Sequence, residues 1–116
     1  MNVDWERINS LLSDVNDPEE IEWLKEMIIN LITDFEKNLS ELSTYTSETE
    51  NQKITSLLHL MKGVTANFGL ENVLKIIKEA EGLSKEKKSR EALEITKSLD
   101  SIWVDTKSEL KAKLSI

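Results

Sequence analysis

In a chain of 116 residues only Pro18, Gly63, Gly69 and Gly82 are proline or glycine. Average usage would supply about 14 of them. A chain so poor in turn formers can make few turns, which favours a small number of long helices. The apolar residues follow the same rule. Trp5, Ile8, Leu11, Leu12 and Val15 fall at helical spacing and predict a short first helix over residues 3–15. Asp17-Pro18-Glu19-Glu20 reads as a helix start. Asp17 is the expected N-cap, Pro18 takes the first position where its missing N–H costs nothing, and Glu20 is expected to close a capping box. Behind it Ile21, Leu24, Ile28, Leu31 or Ile32, Phe35, Leu39 and Leu42 form one apolar stripe, ending in the polar stretch 43–50.

A third helix is expected from Asn51 to Asn67, with Ile54, Leu57, Leu58, Met61, Val64, Thr65 and Phe68 inward and Gly69 as its left-handed stop. A fourth carries Val73, Ile76, Ile77, Ala80 and Leu83, with Gly82 and the run 85–88 marking its end. The last is expected as one helix from Arg90 to Lys113, with Ala92, Ile95, Leu99, Ile102, Thr106 and Leu110 as its stripe. No strand-like alternation, internal repeat or low-complexity segment competes with these patterns. The expected fold is all-α: a single domain over residues 1–116, an antiparallel four-helix bundle with a short additional N-terminal helix as a lid.

Composition narrows the function. A net charge of −7 argues against nucleic acid and against an anionic membrane surface, both of which ask for a basic face. Cysteine is absent, which removes disulfide scaffolds, thiolate metal sites and cysteine nucleophiles. The first ten residues carry Asp4 and Glu6 and lack the apolar core of a signal peptide. The longest apolar run, Met27-Ile28-Ile29, is far short of the roughly 20 residues of a membrane span. A cytoplasmic, monomeric protein is the expectation.

His59 is the only histidine. At about 100° per residue it lies opposite the apolar stripe of the third helix and faces solvent. Alone, such a residue is usually incidental; its neighbours argue otherwise. Gly63 sits one turn on, where a mid-helix glycine costs about 1 kcal/mol against alanine. Its missing side chain would leave space beside the imidazole, a strip that Ser56 and Ala66 extend, although close helix packing is the competing explanation. Lys62, three residues from His59, can bring an ammonium near anything attached to the ring, although it could equally be a solvated surface lysine. An imidazole that is neutral near neutral pH is a nucleophile, and a phosphoryl group placed on it gains from an adjacent cation.

Other chemistry finds no support. A bundle-borne di-metal site needs Glu-x-x-His on two helices, and Ser56 stands three residues before the single histidine. A serine triad would have to run through His59, which has no acidic residue three or four positions away. Trp5, Trp23 and Trp103 read as packing residues. Trp23, Met27 and Leu60 lie off the main stripes, and either pack on the first helix or form an apolar rim around a docking face.

The segment His59-Leu60-Met61-Lys62-Gly63-Val64-Thr65-Ala66-Asn67-Phe68-Gly69 resembles the signature of histidine-containing phosphotransfer (HPt) domains, H-x-L-K-G followed by small residues and a second glycine. The resemblance continues through Val73, Ile76, Ile77 and Ala80-Glu81, where that family has an apolar pattern ending in Leu-Glu. It implies that His59 is the phosphoacceptor, that Lys62 steadies the phosphoryl oxygens, that Gly63 gives steric access and that Gly69 turns the chain. It also implies a phosphocarrier without ATP binding or autokinase activity, working in a two-component phosphorelay. Its partners would be the aspartates of response-regulator receiver domains or a hybrid sensor histidine kinase. No cofactor is expected on this chain, the Mg²⁺ being the receiver's. Leu58, Met61 and Val64-Thr65 depart from the family pattern, and the helical wheel sends them inward or to the flank, as repacking of the core. The alternative reading is a helical module that binds a receiver or kinase and carries no phosphate.

Overall fold

The computed structural model describes residues 2–46 and 50–116. Their regular structure is entirely helical, in six segments: α1 (Trp5–Asn9), α2 (Pro18–Thr44), α3 (Asn51–Asn67), α4 (Glu71–Lys85), α5 (Ser89–Thr96) and α6 (Leu99–Leu114). No helix among the described residues is long and apolar enough to cross a membrane. The molecule is 49 Å long and about as wide as it is deep. α4 packs on α3, α5 and α6, and α2 packs on α3 and α6. α3 and α4 run antiparallel: Asn51 and Thr55, early in α3, meet Ser84 late in α4, and Lys62 further along meets Glu81.

α2 begins as its sequence prescribes. The Asp17 carboxylate accepts from the Glu19 N–H at 2.9 Å, and Pro18 occupies the first turn. Glu20 does not close a capping box. Its carboxylate reaches the preceding loop instead, accepting from the Ser13 N–H, the Ser13 hydroxyl and the Asp14 N–H at 2.7–2.9 Å. This is also why the first helix is shorter than residues 3–15. Asp4 caps α1 by accepting from the Arg7 N–H, and after Asn9 the chain tightens into three-residue turns through Leu11 N–H to Ile8 and Leu12 N–H to Asn9. Glu20 then pins the loop, and Val15 is left exposed. The polar stretch 43–50 is described only in part: Ser43 and Thr44 end α2, and residues 47–49 lie outside the described residues.

Gly69 is required twice over. Its φ of +64° is left-handed, and a Cβ there would stand 3.0 Å from Asp4 and Arg7. The Leu70 N–H bonds back to the Thr65 carbonyl and satisfies the end of α3. Segment 2–9 crosses this turn, through Asp4 N–H to the Gly69 carbonyl, Glu71 N–H to the Asn2 carbonyl and Arg7 Nε to the Asn67 carbonyl. Gly82 does not mark the end of α4; the helix runs on to Lys85, and the left-handed residue is Lys87 at φ 64°.

The helix expected from Arg90 to Lys113 is two helices. Between α5 and α6 the Thr96 and Ser98 hydroxyls bond the carbonyls of Leu93 and Ile95, while Lys97 and Ser98 N–H groups bond three residues back. Hydroxyls that compete for helical carbonyls favour such a break. The break resets the buried face: Leu99 and Trp103 go into the core, and Ile102 of the expected stripe is only half-buried. Trp103 packs on Phe35 with ring centroids 4.4 Å apart. Of the departures on α3, Leu58, Met61 and Thr65 are fully buried in the core and Val64 is partly buried against it. Of the remaining tryptophans, Trp5 donates to Glu109 of α6, whereas Trp23 is exposed, as is Leu60.

Candidate functional site

α3 turns its buried residues Ile54, Leu57, Leu58, Met61 and Thr65 to the core, so His59 is left outside, its side chain 68% exposed. Ser56, Leu60, Gly63 and Ala66 are exposed on the same helix. A Cβ added at Gly63 would meet nothing within 4 Å. Close helix packing therefore does not explain this glycine, and the strip beside the ring is open.

The ring is held from the neighbouring helix. His59 Nδ1 lies 2.7 Å from Glu81 Oε2, and Lys62 Nζ lies 2.6 Å from the other carboxylate oxygen, Oε1. Lys85, one turn beyond Glu81, places its Nζ 3.6 Å from the same Oε1. Glu81 is buried because it follows Ala80 on the inward face of α4, one turn after Ile77 and before Ser84. Burial by itself pushes its carboxyl up. The hydrogen bonds from Lys62 and His59 and the charges of Lys62 and Lys85 outweigh it and hold the group below the ordinary carboxylate range.

An ionised carboxylate can only accept, so the hydrogen of the neutral ring sits on Nδ1 and is donated to Glu81. The lone pair is then on Nε2, the ring nitrogen that does not face Glu81, in a side chain that is 68% exposed. Chemically the arrangement is an oriented nucleophile beside two ammonium groups and an unobstructed surface. Among the described residues no three His, Cys, Asp or Glu side chains converge to hold a metal ion.

His59, Lys62 and Gly63 thus share one face, and His59 and Lys62 are joined through a common partner. Spacing within one helical turn of His59 does not reveal that partner, because Glu81 stands 22 residues further on. Its signal was present: a charged residue at core spacing in the fourth helix, where burial requires a paired charge. The sequence pattern marks Lys85 only as the start of the run 85–88 that ends the fourth helix. Comparison with protein-family models, curated proteins and solved structures finds no match to this chain.

Proposed function

We propose that this protein is a phosphocarrier of the HPt type, passing a phosphoryl group between receiver-domain aspartates through Nε2 of His59. The observation that carries the reading is the His59–Glu81 pair, which orients an exposed imidazole with one nitrogen satisfied and the other open. In this reading the helices form an antiparallel four-helix bundle of α2, α3, α4 and the broken α5–α6, with α1 as the extra N-terminal helix.

The step needs little from this chain. Nε2 attacks the phosphorus of an aspartyl phosphate, the P–O bond breaks, and the aspartate leaves as a carboxylate. The ring becomes a phosphoimidazolium whose Nδ1 proton remains on Glu81's side, so no proton has to move. In the reverse step a receiver carboxylate attacks phosphorus, the Nε2–P bond breaks, and its electron pair returns to Nε2. Glu81 stabilises the imidazolium, and Lys62 and Lys85 place positive charge near the incoming dianion. Such transfers depend mainly on alignment and charge neutralisation, which suits a rigid helix. α3 carries Lys53 and Lys62 and no acidic residue, although the whole chain has a charge of −7. An acidic receiver face would meet no carboxylate carried by α3 itself.

Intact-mass spectrometry tests the reading. Wild type and His59→Gln are each mixed with a phosphorylated receiver domain and Mg²⁺. An acid-labile phosphoryl adduct on wild type alone is the expected result. Binding without an adduct, across a panel of receivers, replaces the carrier with a module that docks and carries no phosphate.

A further inference from the structure

Resting on that reading, we infer that the two lysines divide their roles: Lys62 remains on Glu81, and Lys85 is the cation that turns onto a phosphoryl group carried by His59. Both ammonium groups converge on the same oxygen of Glu81, the other being taken by His59. They are not equivalent. Lys62 is close, at 2.6 Å, with a side chain 29% exposed, whereas Lys85 is at 3.6 Å and 56% exposed.

Glu81 is nearly out of reach of water, its side chain 4% exposed, and a buried carboxylate stripped of its near cation is strongly disfavoured. A phosphoryl group adds close to two negative charges beside the ring, and a nearby ammonium will pair with it. Moving Lys62 would break a short, partly buried, charge-assisted contact. Moving Lys85 would give up only a long, exposed one, worth little in water. Lys85 is also the last residue of α4, with a four-carbon stem that can swing while its backbone stays in place. Lys62 accordingly acts as a positioning residue through Glu81, and Lys85 as the phosphoryl-binding residue.

The test uses phosphoramidate as the donor, so that no partner protein is needed. Nε2 of His59 attacks its phosphorus, the P–N bond breaks, ammonia leaves and the Nε2–P bond forms. Wild type, Lys62→Gln, Lys85→Gln and Lys85→Arg are labelled, and the phosphoryl group is followed by ³¹P NMR against pH and time. Lys85→Gln should move the phosphoryl titration upward and shorten the phosphohistidine lifetime about two- to fivefold, the worth of one exposed ion pair. An ammonium paired with the phosphoryl oxygens stabilises the phosphorylated ground state, and Lys85→Gln removes that pairing. Lys85→Arg should restore both values. Lys62→Gln should leave the phosphoryl titration in place and instead move the Glu81 carboxyl upward in the unlabelled protein, read by ¹³C NMR. A phosphoryl titration that follows Lys62 rather than Lys85, or neither, overturns the assignment, as does failure of His59 to label. Labelled protein that never passes its phosphoryl group to a receiver with Mg²⁺ would remove the relay, while the NMR titrations still decide between the lysines.

Discussion

Two seams of this molecule use the same device to different ends. Between α2 and α6, Glu36 accepts from the Trp103 indole at 3.0 Å and from Lys107 at 2.7 Å. Between α3 and α4, Glu81 accepts from the His59 imidazole and from Lys62 at similar distances. Each carboxylate takes a ring N–H and an ammonium, and each is held below the ordinary carboxylate range. At Glu36 the hydrogen bonds from Lys107 and Trp103 achieve this, and at Glu81 the bonds from Lys62 and His59 do so against the upward push of burial. The difference lies in what the ring has left to offer. An indole has one N–H and no lone pair for chemistry, and Trp103 spends its face on Phe35 in the core. An imidazole keeps a second nitrogen, and the His59 side chain is exposed. A carboxylate–lysine pair that grips a ring is therefore a fastening in one seam and an orienting device in the other.

The largest expected effect separates the seams outright. His59→Gln should abolish phosphoryl uptake while the protein stays folded, losing at most about 1–3 kcal/mol for the hydrogen bond to buried Glu81. Intact mass and circular dichroism measure the two halves; phosphorylated His59→Gln would sink the carrier reading. Next come Glu81→Ala and Glu36→Ala. Loss of the carboxylate that orients His59 should slow phosphoryl uptake about 10- to 100-fold, by analogy with orienting partners of metal-bound histidines. Glu36→Ala should lower stability and leave the uptake rate unchanged. Equal slowing by both would show that the α3–α4 pair has no special role.

A smaller contrast concerns two glycines. Gly63→Ala should stabilise the protein by about 1 kcal/mol, since the added methyl meets nothing and alanine is the better helix former. Gly63→Leu should keep the fold but slow transfer from a receiver; an unchanged rate would refute the role of open space. Gly69→Ala should destabilise by about 1–2 kcal/mol from the left-handed φ alone, with the 3.0 Å contacts to Asp4 and Arg7 adding to it. Chemical denaturation of the three variants checks both signs.

The smallest effect is on the acid limb of stability. Glu36 and Glu81 both titrate lower in the folded protein than the ordinary value of 4.5. Their contribution is present above that value and is lost as pH falls through their folded values. Glu36→Gln should therefore flatten the decline in urea midpoint between about pH 5 and pH 3. A variant that loses as much stability on acidification as wild type would exclude Glu36 as a source of it.

The elements were legible where one local rule governed the chain. α3 matches its expected span from Asn51 to Asn67, because its stripe is unbroken and Gly69 has the conformation that ends it. α2 begins at Asp17-Pro18 for equally local reasons of capping. The errors fell where polar side chains had a choice of partner. Glu20 could bond its own helix or the preceding loop, and it took Ser13 and Asp14. Thr96 and Ser98 could face solvent or bond the carbonyls behind them, and they broke the last helix. Periodicity reports which residues are apolar; it is silent on which of two satisfied hydrogen bonds a hydroxyl or carboxylate will make.

The sequence by itself determined that the chain is helical, that a lone histidine stands outside the core on the third helix, and that small residues flank it. Helical periodicity and the placement of glycine are properties of neighbouring residues, so a linear reading reaches them. Only the tertiary structure decided that Glu81 grips the imidazole, that Lys62 and Lys85 converge on that carboxylate, and that Gly63 borders open space. Those facts depend on the register of α3 against α4, which is set by how their apolar faces interlock, and no spacing along one helix encodes it.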